Sequence, residues 1–134
     1  MTDVPGKSLS QTLRARPDDA RRLPNDPGHP SVQVLAHGSM EVRWYVPEEN
    51  GEQHLPHDRD ELYFIVSGTA TFCRSNEAGA FDEAKFGLFG EELIPVSSGD
   101  VLFVPAGAAH RFSERSADFG VWAIFYGPEG GESD

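Results

Sequence analysis

Gly51-Glu-Gln-His54-Leu-Pro-His57-Asp-Arg-Asp-Glu61-Leu-Tyr-Phe-Ile-Val-Ser-Gly68 is the stretch on which the reading of this chain turns. Its second half, Leu62 to Val66, is an unbroken run of β-forming apolar residues closed by Gly68. Such a run predicts a strand covered on both faces. Its first half carries His54, His57 and Glu61. Side chains alternate along an extended chain, so His57 and Glu61, an even number apart, can face the same side, and Tyr63 shares it. Imidazole and carboxylate converging on one point suit a borderline divalent ion.

A second stretch, Gly99-Asp-Val-Leu-Phe-Val-Pro105-Ala-Gly107-Ala-Ala-His110, places another histidine straight after a tight turn. Around these two segments the chain reads as short strands separated by Gly and Pro turns: Val32–Leu35, Met40–Val46, Glu61–Ser67, Thr69–Arg74, Leu93–Val96, Val101–Val104, His110–Glu114 and Phe119–Tyr126. Closely spaced strands of this length predict an all-β sandwich or barrel. His37-Gly38-Ser39 is expected to be a hairpin turn. By alternation Met40, Val42, Trp44 and Val46 share a face, which points Trp44 into the cavity and Arg43 away from it. Leu62–Val66 and Phe119–Tyr126 are apolar on both faces, so something must cover the outer one. A second sheet, the N-terminal arm or a partner could do so, and a homodimer is the preferred reading.

The two segments resemble the two motifs of the cupin superfamily. The first has the form G-x5-H-x-H-x(3–4)-E-x6-G, and Gly51, His57, Glu61 and Gly68 match it. The second has the form G-x5-P-x-G-x2-H-x3-N, and Gly99, Pro105, Gly107 and His110 match it. The resemblance implies a single-domain jelly-roll (cupin) β-barrel with His57, Glu61 and His110 pointing inward onto one divalent transition metal (Fe, Mn, Ni, Zn or Co). Two departures stand out. Leu55 occupies the place of the first histidine, and Glu114 replaces the closing Asn. A bulge at Leu55-Pro56 would let His54 supply a fourth ligand, and Gln53 is a weaker oxygen donor. His57 and His110 could instead be satisfied core histidines in a barrel that has lost its metal. Glu61 argues for the metal, because a buried carboxylate is costly without a cation or a donor.

The flanks differ from the barrel. Residues 1–30, with five prolines and clustered Arg14, Arg16, Arg21 and Arg22, read as an N-terminal arm with at most one short helix, placed at Ser8–Arg16. The barrel domain spans 31–128, and 129–134 reads as a solvated tail. Residues 75–91, with Phe81, Phe86 and Phe89, form an irregular insertion that packs onto the barrel or covers its mouth. Asp58, Arg59 and Asp60 read as solvated turn charges, with Arg59 gripping an anionic ligand as the alternative. His29 and His37 sit in turns and read as surface or cap residues.

Composition bounds the rest. The 134 residues suffice for one domain. A net charge of −11 repels phosphate backbones, so nucleic acid is not an expected partner. No apolar window is long enough to span a bilayer and no secretory leader is evident, so the expected compartment is the cytoplasm. Cys73, the sole cysteine, reads as a buried strand residue. Three function classes follow. One is a metal-dependent enzyme of oxygenase or isomerase type; another is a non-catalytic barrel that binds a sugar or organic acid. The third is a structural subunit acting through its apolar outer strands.

Overall fold

The computed structural model describes residues 13–48, 57–78 and 91–133. The elements run α1 (Pro17–Ala20), β1 (Ser31–His37), β2 (Met40–Tyr45), β3 (Asp60–Ser67), β4 (Thr69–Ala78), β5 (Glu91–Ser97), β6 (Val101–Val104), β7 (Ala108–Ser113) and β8 (Gly120–Tyr126). Two antiparallel sheets face each other: a five-stranded sheet ordered β1-β2-β8-β3-β6 and a three-stranded sheet ordered β5-β4-β7. This is the all-β architecture that the turn spacing predicts, wound as the jelly roll that the resemblance implies. The non-sequential neighbours, β2 beside β8 and β4 beside β7, wind the chain back and forth between the two layers.

The core lies between the sheets. Tyr63 and Ile65 of β3, Phe72 of β4, Phe112 of β7 and Val121 of β8 are all buried there with Phe119. Aromatic rings dominate its centre. Tyr63 meets Phe112 edge-on with centroids 4.9 Å apart, and Phe112 is 5.1 Å from both Phe72 and Phe119. Such pairs contribute beyond the apolar area they bury. They form the floor beneath the polar residues described below.

The helix differs from the expected one. Leu13 to Arg16 are not helical, and the only helical turn among the described residues begins at Pro17. The cause is local. A residue before proline is driven out of the α region, and Arg16 is extended at φ −118°, ψ 142°. Proline itself then suits the first helical position. The part of the expected helix before Leu13 lies outside the described residues.

This arm supplies the cover that the outer face of β1 and β2 needs. Ala20 is buried against Val32, Val34 and Trp44, with Ala15 and Leu23 packed alongside. The Arg21 guanidinium lies 4.8 Å from the Trp44 ring centroid, and Trp122 meets Trp44 edge-on at 4.9 Å. The assignment of β2's faces is therefore reversed. Trp44 points out beneath the arm, whereas Arg43 points inward. Alternation defines two faces but not which is interior, and here the inner face is the polar one because it lines a cavity. Farther along the same outer surface, Phe64, Val101 and Phe103 are exposed. Among the described residues no helix is long and apolar enough to cross a membrane.

Candidate metal centre

Three elements bring the site together. His57 lies just before β3, Glu61 is the second residue of β3, and His110 is the third residue of β7. The carboxylate thus comes from the large sheet and one imidazole from the small sheet opposite. Glu61 and His110 are each only 1% exposed, whereas His57 stands half-open to the cavity.

Two hydrogen-bonded connections lock the segments in register. The turn Pro105–Ala108 closes with the Ala108 amide donating to Pro105 O at 3.1 Å. Gly107 holds φ 85° at its third position, which suits glycine and aims His110 into the barrel. The Gly107 amide in turn donates to His57 O at 2.8 Å, tying the second motif to the first. Asp60 completes the fastening. Its Oδ1 accepts the Ala106 amide and its Oδ2 the Glu132 amide, each at 2.9 Å. At 5% exposure Asp60 is no solvated turn charge. The sequence signal was there: Asp60 directly precedes the buried run, where a polar side chain needs partners. The exposed segment after Pro128 is fastened too, since the Gly130 amide donates to Asp58 O at 2.6 Å.

The polar atoms then converge. His57 Nε2 is 2.8 Å from Glu61 Oε1, and His110 Nε2 is 3.4 Å from that same oxygen. The two Nε2 atoms are 3.2 Å apart. Each ring turns its other nitrogen to a backbone carbonyl, His57 Nδ1 to Arg59 O at 3.4 Å and His110 Nδ1 to Ala108 O at 3.0 Å. Those carbonyls can only accept, so they favour a proton on Nδ1 and leave both Nε2 lone pairs facing inward. Glu61 Oε1 is buried and has no hydrogen bond of good geometry. The ligand atoms of these three residues all lie within 4.8 Å of one another. Two imidazole lone pairs and one carboxylate oxygen aimed at one point form a donor set that fits a divalent cation.

Without a cation, the group meets its electrostatics by sharing charge. Burial resists charge on His57, but contact with Glu61 outweighs it and raises the pKa above 6.5. Burial likewise resists charge on Glu61, but His110 and His57 outweigh it and lower the pKa below 4.5. Tyr63, buried beneath, has its hydroxyl 3.0 Å from His110 Nε2. Burial first, and Glu61 second, push its phenol well above 10.

Above this group opens a cavity of about 460 Å³. Its walls include Tyr45, Ala123 and Phe125 interleaved with Glu41, Arg43 and Arg59, with His29 and Glu129 also lining it. Arg43 is buried and fully engaged: it donates to Ser31 Oγ at 2.6 Å and to Glu41 Oε2 and Asp26 Oδ2, each at 2.5 Å. Arg59 donates to Glu41 Oε1 and to Ser39 O, each at 2.8 Å, and stacks over Phe125. Both oxygens of Glu41 are therefore taken by arginines. Burial would raise its pKa, but the two guanidiniums lower it on balance. Sequence reasoning placed Arg59 near the site but missed Glu41 and Arg43, whose alternation with large apolar residues hid an inward polar face.

His54 and Gln53, the further candidate ligands, lie outside the described residues, as does most of the 75–91 insertion. Cys73 is buried, and desolvation raises its thiol pKa. His37 is exposed at the end of β1, and His29 is exposed where it lines the cavity.

No protein-family model matches the sequence. An uncharacterised protein of Streptomyces coelicolor is 33% identical over 112 residues, covering 83% of this chain and 90% of that one. A conserved protein of Klebsiella pneumoniae with a double-stranded β-helix domain superposes with TM-score 0.59 at 14% identity, over 87% of this chain and 90% of its own. A cupin-2 domain protein of Shewanella frigidimarina gives 0.57 at 16% identity, over 84% and 94%. The Fe(II) form of HppE gives 0.56 at 14% identity, over 87% of this chain and 60% of that one. The jelly-roll winding, the two glycine-marked turns and these shared barrels lead to one assignment: this chain has the double-stranded β-helix barrel fold of those cupin-type structures.

Proposed function

We propose that this chain is a metal-dependent cupin that holds one divalent transition metal on His57, Glu61 and His110 and acts on a small molecule in the cavity above it. The observation that carries this reading is Glu61 Oε1. It is buried, faces two imidazole nitrogens at 2.8 and 3.4 Å, and has no well-formed hydrogen bond. A divalent ion accounts for all three atoms at once. A third imidazole, from His54, remains part of the proposal as a fourth ligand.

Two histidines and one carboxylate with open positions form the arrangement of non-haem Fe(II) oxygenases, so the reaction class proposed is oxygenase- or isomerase-type. When bound, such an ion would polarise or activate a ligand at those open positions. The chain's own residues perform the rest. The carbonyls of Arg59 and Ala108 orient the two imidazoles, Tyr45 and Phe125 shape an apolar wall, and Tyr63 presents a hydroxyl at the cavity floor. That HppE, a barrel of similar fold, was solved with Fe(II) supports iron as the first ion to try.

One observation favours a second reading, a barrel that binds a sugar or organic acid without turnover. Three charged groups of the cavity wall, Glu41, Arg43 and Arg59, are bound to one another, so Glu41 is not free to act as a base beside the ligands. Thermal unfolding with Fe(II), Mn(II), Co(II), Ni(II) and Zn(II) separates the readings at the first step. A stabilisation by at least one ion, lost in Glu61→Gln, supports the metal site. Small-molecule binding that survives chelation favours the binding module, whereas ion-dependent O2 uptake or product formation favours the enzyme. The exposed Phe64, Val101 and Phe103 support the further proposal of a homodimer, which sedimentation equilibrium would test.

A further inference from the structure

His110 Nδ1 faces Ala108 O at 3.0 Å, so the proton belongs on Nδ1 and Nε2 is an acceptor. The 3.0 Å contact between Nε2 and the Tyr63 hydroxyl is then Tyr63 donating. The lone pair it satisfies is the one that a cation on His57, Glu61 and His110 would take. The phenol cannot follow by swinging into solvent. Tyr63 is 3% exposed, and its ring is packed edge-on against Phe112 at 4.9 Å and Phe72 at 6.0 Å.

An ion at the site therefore takes the His110 acceptor from a buried O–H whose other neighbour in the chain is Glu61. A buried donor without an acceptor is costly, so it finds one. Two candidates are within its neighbourhood: the Glu61 carboxylate, and an acceptor atom carried by a small molecule in the cavity that Tyr63 lines. Glu61 hydrogen-bonds the phenol in the ion-free chain, but its Oε1 faces the shared point between the imidazoles, and a carboxylate that ligates a cation is the weaker acceptor of the two. We infer that Tyr63 is the residue that orients and selects the small-molecule ligand, by donating a hydrogen bond to an anionic or lone-pair atom brought to the open side of the metal centre. The inference rests on the metal reading above. It makes the ligand class concrete: an anion or oxygen-donor molecule with an acceptor atom next to the ion, in preference to a ligand offering only C–H or N–H there.

The test uses the full chain loaded with Co(II), whose visible absorption reports both ion uptake and anion binding, with azide as the probe. Wild type and Tyr63→Phe are first titrated with Co(II), then with azide. Both are expected to take up one Co(II), the variant at least as tightly because no phenol competes for His110. The azide dissociation constant is expected to rise about tenfold or more in Tyr63→Phe, the loss typical of a hydrogen bond to a charged acceptor. Equal azide constants in the two proteins would overturn the inference. So would weaker Co(II) binding by the variant with azide unchanged, which would make Tyr63 a support for Glu61. Failure of wild type to take up Co(II) would remove the metal reading itself, and the inference with it. A measurement without any variant runs in parallel: in Zn(II)-loaded protein carrying 13Cζ-tyrosine, azide should shift the Tyr63 resonance and leave Tyr126 in place. An unmoved Tyr63 signal contradicts the proposal.

Discussion

The Nε2 atoms of His57 and His110 stand 3.2 Å apart, each ring having its Nδ1 turned to a backbone carbonyl. Two lone pairs at that separation repel unless a proton or a cation lies between them. Glu61 Oε1 adds a third electron-rich atom to the same point. Burial makes the arrangement more demanding, because water cannot screen it. The proposed ion resolves the conflict, and a shared proton is the chain's substitute when the ion is absent.

This competition gives a pH dependence whose sign can be worked out. In ion-free protein His57 has a raised pKa, so its stabilising charge is fully present below 6.5 and is lost as pH rises through the raised value. Glu61 has a lowered pKa, so its contribution is present above 4.5 and is lost as pH falls through the lowered value. The pair thus supports the ion-free chain best between these two values. Added metal should show the opposite trend on the alkaline side, since protons and ion compete for the same lone pairs. Melting curves with and without Zn(II), taken at about pH 5.5 and about pH 8, should show the larger stabilisation at the higher pH. An equal shift at both would place the ion elsewhere.

Gly68 closes β3 where no side chain fits. It holds φ 79°, and a Cβ there would meet Phe119 Cα at 2.7 Å and Ser116 Oγ at 2.4 Å. The first of these contacts is backbone and cannot rotate away. Gly68→Ala should therefore cost about 2 kcal/mol or more, read as a lower urea midpoint with an unchanged slope. Gly38→Ala, at φ 58° but in open space, should cost only about 1 kcal/mol. Equal losses at the two positions would show that crowding at Gly68 has been overestimated.

Glu114 is the only non-glycine residue with positive φ among the described residues, at 54°. A left-handed position accounts for the closing Asn of the second motif, from which this chain departs. Asn tolerates the left-handed region better than Glu, because its short polar side chain can bond locally. Restoring it by Glu114→Asn should stabilise the protein by roughly 0.5–1 kcal/mol and raise its melting temperature by a few degrees. A neutral or destabilising outcome would show that Glu114 makes compensating contacts.

Much of the fold and the heart of the site could be read from residue order. The run Leu62 to Val66 announced a strand, although its outer face is left partly open at Phe64, and the turn Pro105 to Ala108 announced its own geometry through Gly107. The spacing of His57 and Glu61 placed them on one side, and His110 arrives from the opposite sheet to join them. What could not be read was polarity reversed by a cavity. In β2 the apolar set Val42 and Trp44 faces the arm, while Glu41, Arg43 and Tyr45 line the interior. Pattern alone sends apolar residues inward, which fails where the interior is a ligand cavity and the exterior is covered by another segment. Asp60 was misread for a related reason: its amide partners, Ala106 and Glu132, are distant in sequence.

Elemental analysis of the purified, untagged protein beside a His57→Ala, His110→Ala double variant tests the central claim most directly. The account predicts close to one equivalent of Fe, Mn, Co, Ni or Zn in the parent and none in the variant. A parent that is metal-free as isolated, and that takes up none of these ions when they are added, would contradict it and leave a ligand-binding barrel as the better description.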